Sequence, residues 1–220
     1  MKNGSTNLNE KMSDQDAVYY GLNTGFGSLC NTKISNEDLS KLQENLVKSH
    51  ACGLGEEVDP VIVKIMLLLK IQGLSYGHSG VAVETIQRLI EFYNHDILPV
   101  IYQEGSLGAS GDLAPLAHLS LPLLGYGYVD IEGESRKSTD VLTEMGWGPI
   151  VLQSKEGLAL LKVNQFMSAH GCWALIQAKK LSNLADTISA LSLEAFDGRK
   201  DPFTPQVHEV RGHNGQIETA

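Results

Sequence analysis

Asp59-Pro60 and the residues that follow constrain the fold more tightly than any other stretch. A proline in the first helical turn sacrifices no hydrogen bond and an aspartate before it suits a cap, so the pair opens a helix. Val61, Ile62, Ile65, Met66, Leu68 and Leu69 then make that helix apolar over much of its surface. A helix of this kind is stable only when other elements surround it. It cannot instead cross a bilayer, because the apolar stretch Val61–Ile71 is too short and is interrupted by Lys64 and Lys70.

The rest of the chain supplies helices to cover it. Asn36-Glu37-Asp38 starts a helix whose apolar positions Leu39, Leu42, Leu46 and Val47 have helical spacing and which Gly53 ends. A further helix follows Ser79-Gly80 through Tyr93, and another runs from about Leu113 to Leu124. Tyr126 to Lys137, with Glu132-Gly133-Glu134 at its middle, reads as a small β-hairpin. From Ser154 to about Leu193 the recurrence of Leu158, Leu161, Phe166, Trp173, Ile176, Leu181 and Leu184 predicts long helices with few breaks. The fold class is mainly α with a small β-hairpin. Residues 1–16 form a polar, mobile lead, and 17–220 form one helical domain running into an incomplete central helical region. Ile217-Glu218-Thr219-Ala220 has a helical composition without a closing glycine, asparagine or basic turn, which predicts a fragment of a longer protein.

Composition narrows the function. Of the 220 residues 42% are apolar, ample for a core, and a formal net charge of -9 disfavours nucleic acid or an anionic membrane as partner. Cys30, Cys52 and Cys172 are odd in number and lack redox-pair or metal spacing, so they read as reduced thiols of a cytoplasmic protein, with Cys52 as buried filler in preference to a reactive thiol near the site. The polar N-terminus, with Lys2, Asn3, Asn7 and Asn9, does not resemble a signal peptide. His78, His95, His118, His170, His208 and His213 show no metal-ligand spacing, and Thr24-Gly25-Phe26-Gly27 lacks the lysine and strand of a phosphate loop, so neither a metal nor a nucleotide is expected.

The chemically distinctive stretch is Gly105 to His118, which sets Ala109-Ser110-Gly111 in a turn before a helix that Asp112 or Ser110 can cap. If the turn presses the unhindered Gly111 nitrogen onto the Ala109 carbonyl carbon, a five-membered ring closes with loss of water. Loss of a second water from Ser110 leaves a methylidene conjugated to the ring, an electrophile that no standard side chain provides. At a helix N-terminus the partial positive charge strengthens such an acceptor and favours a nearby carboxylate.

With this run in view, the chain resembles the aromatic amino acid ammonia-lyases, and within them the histidine-specific branch. The resemblance rests on Tyr20-Gly21-Leu22-Asn23-Thr24-Gly25-Phe26-Gly27, Ser49-His50-Ala51-Cys52-Gly53, the Gly105 to His118 run, and Arg211-Gly212-His213-Asn214-Gly215-Gln216. It implies a helical lyase-type domain, truncated before the long central helical bundle is complete, and an autocatalytic 5-methylidene-imidazol-4-one from Ala109-Ser110-Gly111. The implied reaction removes ammonia from L-histidine to give urocanate, with Tyr20 as the base that takes the β-proton. Ser49 and His50 stand where relatives acting on tyrosine or phenylalanine carry His-Leu or Phe-Leu, so this polar pair would suit an imidazole. Asn23 either shapes the tyrosine loop or bonds the substrate. The family forms homotetramers.

One departure stands out. After Lys155-Glu156-Gly157-Leu158-Ala159-Leu160-Leu161 the family pattern reads Asn-Gly-Thr-Gln, with the asparagine on the ring, whereas this chain reads Lys162-Val163-Asn164-Gln165. On a continuous helix Asn164 would lie roughly 200° round from Lys162 and could not take over. Lys162 is therefore expected to impair ring formation or turnover, unless it is a local loop variant. Alternatives to a histidine lyase are a phenylalanine or tyrosine lyase, an aminomutase, or a non-catalytic truncated relative acting only in assembly.

Overall fold

The computed structural model describes residues 19–20, 22–25, 30–35, 38–109 and 111–220. The polar lead 1–16, Gly21, Phe26, Gly27, Asn36, Glu37 and Ser110 lie outside the described residues. The chain divides into two compact units, Met1–Gly171 and Cys172–Ala220.

In the first unit the order is α1 (Leu39–His50), β1 (Leu54–Glu57), α2 (Pro60–Ser75), α3 (Val83–Asn94), β2 (Leu98–Pro99), β3 (Tyr102–Glu104) and α4 (Leu113–Ser120). A 3₁₀ turn (Leu121–Leu124), β4 (Tyr128–Ile131), β5 (Glu134–Lys137), α5 (Ser138–Glu144) and α6 (Glu156–Leu161) follow. Helix α7 (Gln165–Ala195) begins in this unit and continues into the second, which adds a short 3₁₀ turn, α8 (Pro205–Glu209) and α9 (Asn214–Thr219). The mainly α class with a small hairpin is what the sequence predicts.

Asp59 opens α2 as anticipated, its carboxylate accepting from Val61 N at 2.8 Å. The helix buries Ile62, Val63, Met66 and Leu67 and packs against α3, which contributes Ile86, Leu89 and Phe92. Leu116, Leu119 and Leu123 from α4 and the turn after it are also buried completely. Each such side chain contributes roughly 1.5–3 kcal/mol through removal of apolar surface from water.

Several boundaries differ from the sequence reading. α1 ends at His50 rather than Gly53, and α3 begins at Val83. The helix expected over Leu113–Leu124 tightens to 3₁₀ after Ser120, where Pro122 has no N–H to continue the α-helical ladder. The hairpin β4–β5 is present in register Asp130↔Ser135, and β2 joins it to make three antiparallel strands. A second antiparallel pair, β1–β3, and helix α5 had no anticipated counterpart. Strands of two to four residues are too short for alternation to reveal.

The run from Ser154 is interrupted at 162–164. α6, packed on α1 and α4, sits so near α1 that a Cβ on Gly157 would lie 2.8 Å from the Gln43 carbonyl oxygen. Only glycine permits that approach. Beyond residue 171, Leu175, Ile176, Leu181, Leu184, Ile188 and Leu191 are exposed on α7.

Candidate active site

The Gly105–Asp112 turn leaves β3 and enters α4. Ala109 is exposed and Gly111 is buried, while Ser110 between them lies outside the described residues. Gly111 has φ +116°, a conformation that disfavours any residue with a Cβ. An added Cβ would also meet Val163 N at 3.3 Å and Val163 O at 3.4 Å. The N–H of Gly111 reaches Gly108 O only at 3.4 Å, so its nitrogen is weakly engaged.

Segment 162–164 holds the turn from outside. Val163 O accepts from Asp112 N at 2.9 Å, and Asn164 Nδ2 donates to Gly108 O at 2.7 Å. This corrects the expectation that Asn164 points away. Helix α6 stops at Leu161, and Lys162 has φ -90° and ψ 69°, so the helical rotation between positions 162 and 164 does not apply. Lys162 itself is exposed, with Nζ 5.9 Å from the centre of the Tyr20 ring. The substitution therefore sets a cation over the ring of the candidate base, while the asparagine two places on reaches the turn.

Asp112 also differs from its expected capping role. It stands at the N-cap of α4 without a side-chain capping bond. Its buried carboxylate instead accepts from Ser106 Oγ at 2.9 Å and from Met167 N at 3.1 Å. One carboxylate thus closes the turn on itself and ties it to the first turn of α7, where free N–H groups favour negative charge.

Tyr20 is half exposed, in a loop stitched by its neighbours. Asn23 is buried, and its Oδ1 accepts from Tyr19 N at 2.8 Å while its carbonyl accepts from Ile34 N. These contacts shape the loop. Ser154 Oγ donates to Leu22 O at 2.8 Å, joining the loop to the segment before α6.

Ser49 and His50 occupy the last turn of α1. Both turn back on their own helix: Ser49 Oγ donates to Leu46 O at 3.0 Å, and His50 Nδ1 donates to the same carbonyl at 2.8 Å. A carbonyl only accepts, so Nδ1 carries the hydrogen, and in the neutral ring Nε2 is the acceptor. Cys52, expected to be buried filler, is an exposed thiol, because the strand it precedes lies at the surface.

His118, at the end of the Gly105 run, draws two of these blocks together. Its Nε2 accepts from Gly53 N at 3.0 Å, and its ring meets Tyr102 edge-on with centres 5.0 Å apart. Burial pushes its imidazole below the ordinary 6.5. The neutral form is the one that accepts from Gly53. Above pH 6.5 both folded and unfolded chains are neutral here, and the contribution is fully present. As pH falls below 6.5 the unfolded chain takes up the proton first, so stability is lost on the acid side. His118→Gln, which still offers an acceptor, is expected to flatten the pH dependence of thermal unfolding just below 6.5. An unchanged slope would assign that dependence elsewhere.

Sequence reasoning passed over two further buried groups. Glu156 at the start of α6 accepts from Ala82 N, Thr85 Oγ1 and Gln153 N at 2.9, 2.8 and 2.6 Å. Lys70 of α2 is fully buried and donates to Ala159 O at 2.9 Å and Leu160 O at 2.5 Å, at the other end of α6. Burial pushes its ammonium down to about 7. The available signal was a lysine inside an otherwise apolar helix. Among the described residues no three or more His, Cys, Asp or Glu side chains group as a metal site, and no helix is long and apolar enough to cross a membrane.

Two of the four sequence blocks thus meet directly through Gly53 and His118, while the tyrosine loop is joined to Ser154 and Lys162 on either side of α6. The fourth, Arg211–Gln216, belongs to the second, where Gln216 Nε2 lies 2.8 Å from His208 Nδ1. Comparison with known proteins bears on the chain as a whole. The chain is 43% identical over 216 residues to a histidine ammonia-lyase from Clostridium tetani, covering 98% of this chain and 42% of the relative. The crystal structure of histidine ammonia-lyase from Trypanosoma cruzi superimposes with a TM-score of 0.90 at 38% identity, over 98% of this chain and 42% of that one. A Pantoea agglomerans phenylalanine aminomutase gives 0.89 at 34% identity, over 98% and 41% respectively. The chain therefore spans about two fifths of the length of these relatives. The aromatic amino acid lyase profile matches residues 2–220, and the chain belongs to that family.

Proposed function

We propose that this chain is the electrophile-building part of an ammonia-lyase acting on L-histidine, with Ala109, Ser110 and Gly111 as the source of a 5-methylidene-imidazol-4-one. The observation that carries the reading is Gly111: buried, at φ +116°, with a weakly engaged nitrogen and only tight space for a Cβ beside Val163. Such a position suits a backbone nitrogen that must approach a carbonyl two residues back. Asp112, Asn164 and Val163 would hold the group through the contacts described above. When formed, it supplies an electrophile for the substrate amine, so that ammonia can leave as urocanate forms.

The chain's own side chains have separate tasks. Tyr20 takes the β-proton. His50 presents Nε2, an acceptor suited to an imidazole N–H, with Ser49 beside it. Asn23 keeps the tyrosine loop in shape and is close enough in sequence to Tyr20 to contact substrate. The polar Ser49-His50 pair and the histidine lyase relatives favour histidine over phenylalanine or tyrosine and over an aminomutase. The exposed leucines and isoleucines of α7 support assembly into a homo-oligomer, a tetramer by family analogy. Three free cysteines suit a reducing, cytoplasmic setting.

Intact mass of the purified chain, with fragmentation around Ser110, tests the reading. A chain lighter by two waters at Ala109–Gly111 supports it, and an assay with L-histidine, L-tyrosine and L-phenylalanine then ranks substrates. An unmodified mass would leave a non-catalytic assembly role.

Lys162→Asn in the complete protein is expected to raise turnover about two- to fivefold. That is the equivalent of releasing an exposed cation–π contact of ~0.5–1 kcal/mol from the Tyr20 ring. Equal turnover in the two proteins would sink the idea that Lys162 impairs the site.

A further inference from the structure

We infer that Lys70 is a positioning residue for the Ala109–Gly111 turn, acting through helix α6 and the segment after it. The inference rests on the lyase reading for its purpose but on separate contacts for its substance.

Helix α6 has six residues, too few to hold itself in place. Both of its ends are fastened by buried groups from the α2–α3 pair. At the N-terminal end the Glu156 carboxylate receives the Ala82 N–H and the Thr85 hydroxyl at the start of α3. At the C-terminal end the Lys70 ammonium donates to the Ala159 and Leu160 carbonyls. An acid at the N-terminal end and a base at the C-terminal end match the polarity of the helix. A helix end whose carbonyls have lost their successors needs such a donor, since the buried Leu160 carbonyl has no water to turn to.

From the Lys70-bound carbonyls the chain runs directly into the residues that hold the turn. Three residues after Leu160, Val163 O receives Asp112 N and Val163 backbone bounds Gly111. One residue further, Asn164 bonds Gly108 O. Displacing the end of α6 therefore moves both contacts that bracket Ala109–Gly111. Among the described residues Lys70 makes hydrogen bonds to α6 and not to the turn, which is why its role is to position and not to react.

The test compares the chain with Lys70→Met and Lys70→Arg by amide hydrogen exchange and by intact mass. In Lys70→Met, exchange at Asp112, whose N–H reports the Val163 bond, is expected to speed at least tenfold. Leu89 and Phe92 in α3 should stay within about twofold of the parent. Lys70→Arg, which restores donors at similar reach, should recover Asp112 protection, and the fraction of chain lighter by two waters should fall and recover in parallel. Unchanged protection at Asp112, or an equal loss at Asp112, Leu89 and Phe92, would overturn the inference. If Lys70→Met does not fold, Lys70→Gln is read by the same criteria. Absence of the two-water loss in the parent chain would remove the lyase reading, while the exchange pattern would still decide for or against Lys70.

Discussion

Gly111→Ala is expected to leave the chain at its unmodified mass and the complete protein without measurable turnover. Two independent effects converge at this position. A residue with a Cβ at φ +116° pays a backbone strain of roughly 1–3 kcal/mol. The new Cβ would also sit 3.3 Å from Val163 N, a tight approach, and any give by Val163 bears on its bond from Asp112 N. The Gly111 nitrogen, the proposed nucleophile, would become hindered and be turned away from Ala109. Without the electrophile the loss should exceed the ~10²–10⁴-fold attributable to a single acid–base group. Mass spectrometry and a urocanate assay check this together. A Gly111→Ala chain that still loses two waters would show that another bond makes any modification, and the proposed ring would have to be abandoned.

The second large effect is at Tyr20. Tyr20→Phe is expected to lower turnover by about 10²–10⁴-fold, the range for removal of a general base, while leaving the two-water mass change intact. Because Tyr20 is half exposed, the same substitution should change the unfolding temperature little. That pairing of outcomes separates a base from a tyrosine that packs its loop, whose loss would lower stability and activity together. Asn23→Ala offers the contrast: its buried Oδ1 receives Tyr19 N, and its removal should loosen the loop and destabilise the chain. Retained turnover in Tyr20→Phe would assign proton removal to another group.

These predictions draw on two kinds of information. The helices whose pattern is continuous were readable along the chain. Asp59-Pro60 marks the start of α2, the spacing of Leu39, Leu46 and Val47 marks α1, and Glu132-Gly133-Glu134 marks the turn of the hairpin. The blocks around Tyr20, His50 and Gly111 were likewise readable because each depends on local residue order. Shorter elements left too little periodicity: β2 has two residues and β3 three.

What only the tertiary structure decided is where side chains at chain-distant positions meet. Asn164 was dismissed on helical geometry, yet a break at Lys162 turns it onto Gly108 O. Asp112 was expected to cap α4, but the nearby start of α7 offers its carboxylate a partner 55 residues away. His118 could not be tied to Gly53, nor Lys70 to Leu160, from order along the chain, since these bonds span 65 and 90 residues. The sequence by itself determined a mainly helical chain of the aromatic amino acid lyase family, with Ala109-Ser110-Gly111 placed ahead of α4. Packing decided which groups hold that turn, because a hydrogen bond depends on distance and direction in space, and neither is written in local residue order.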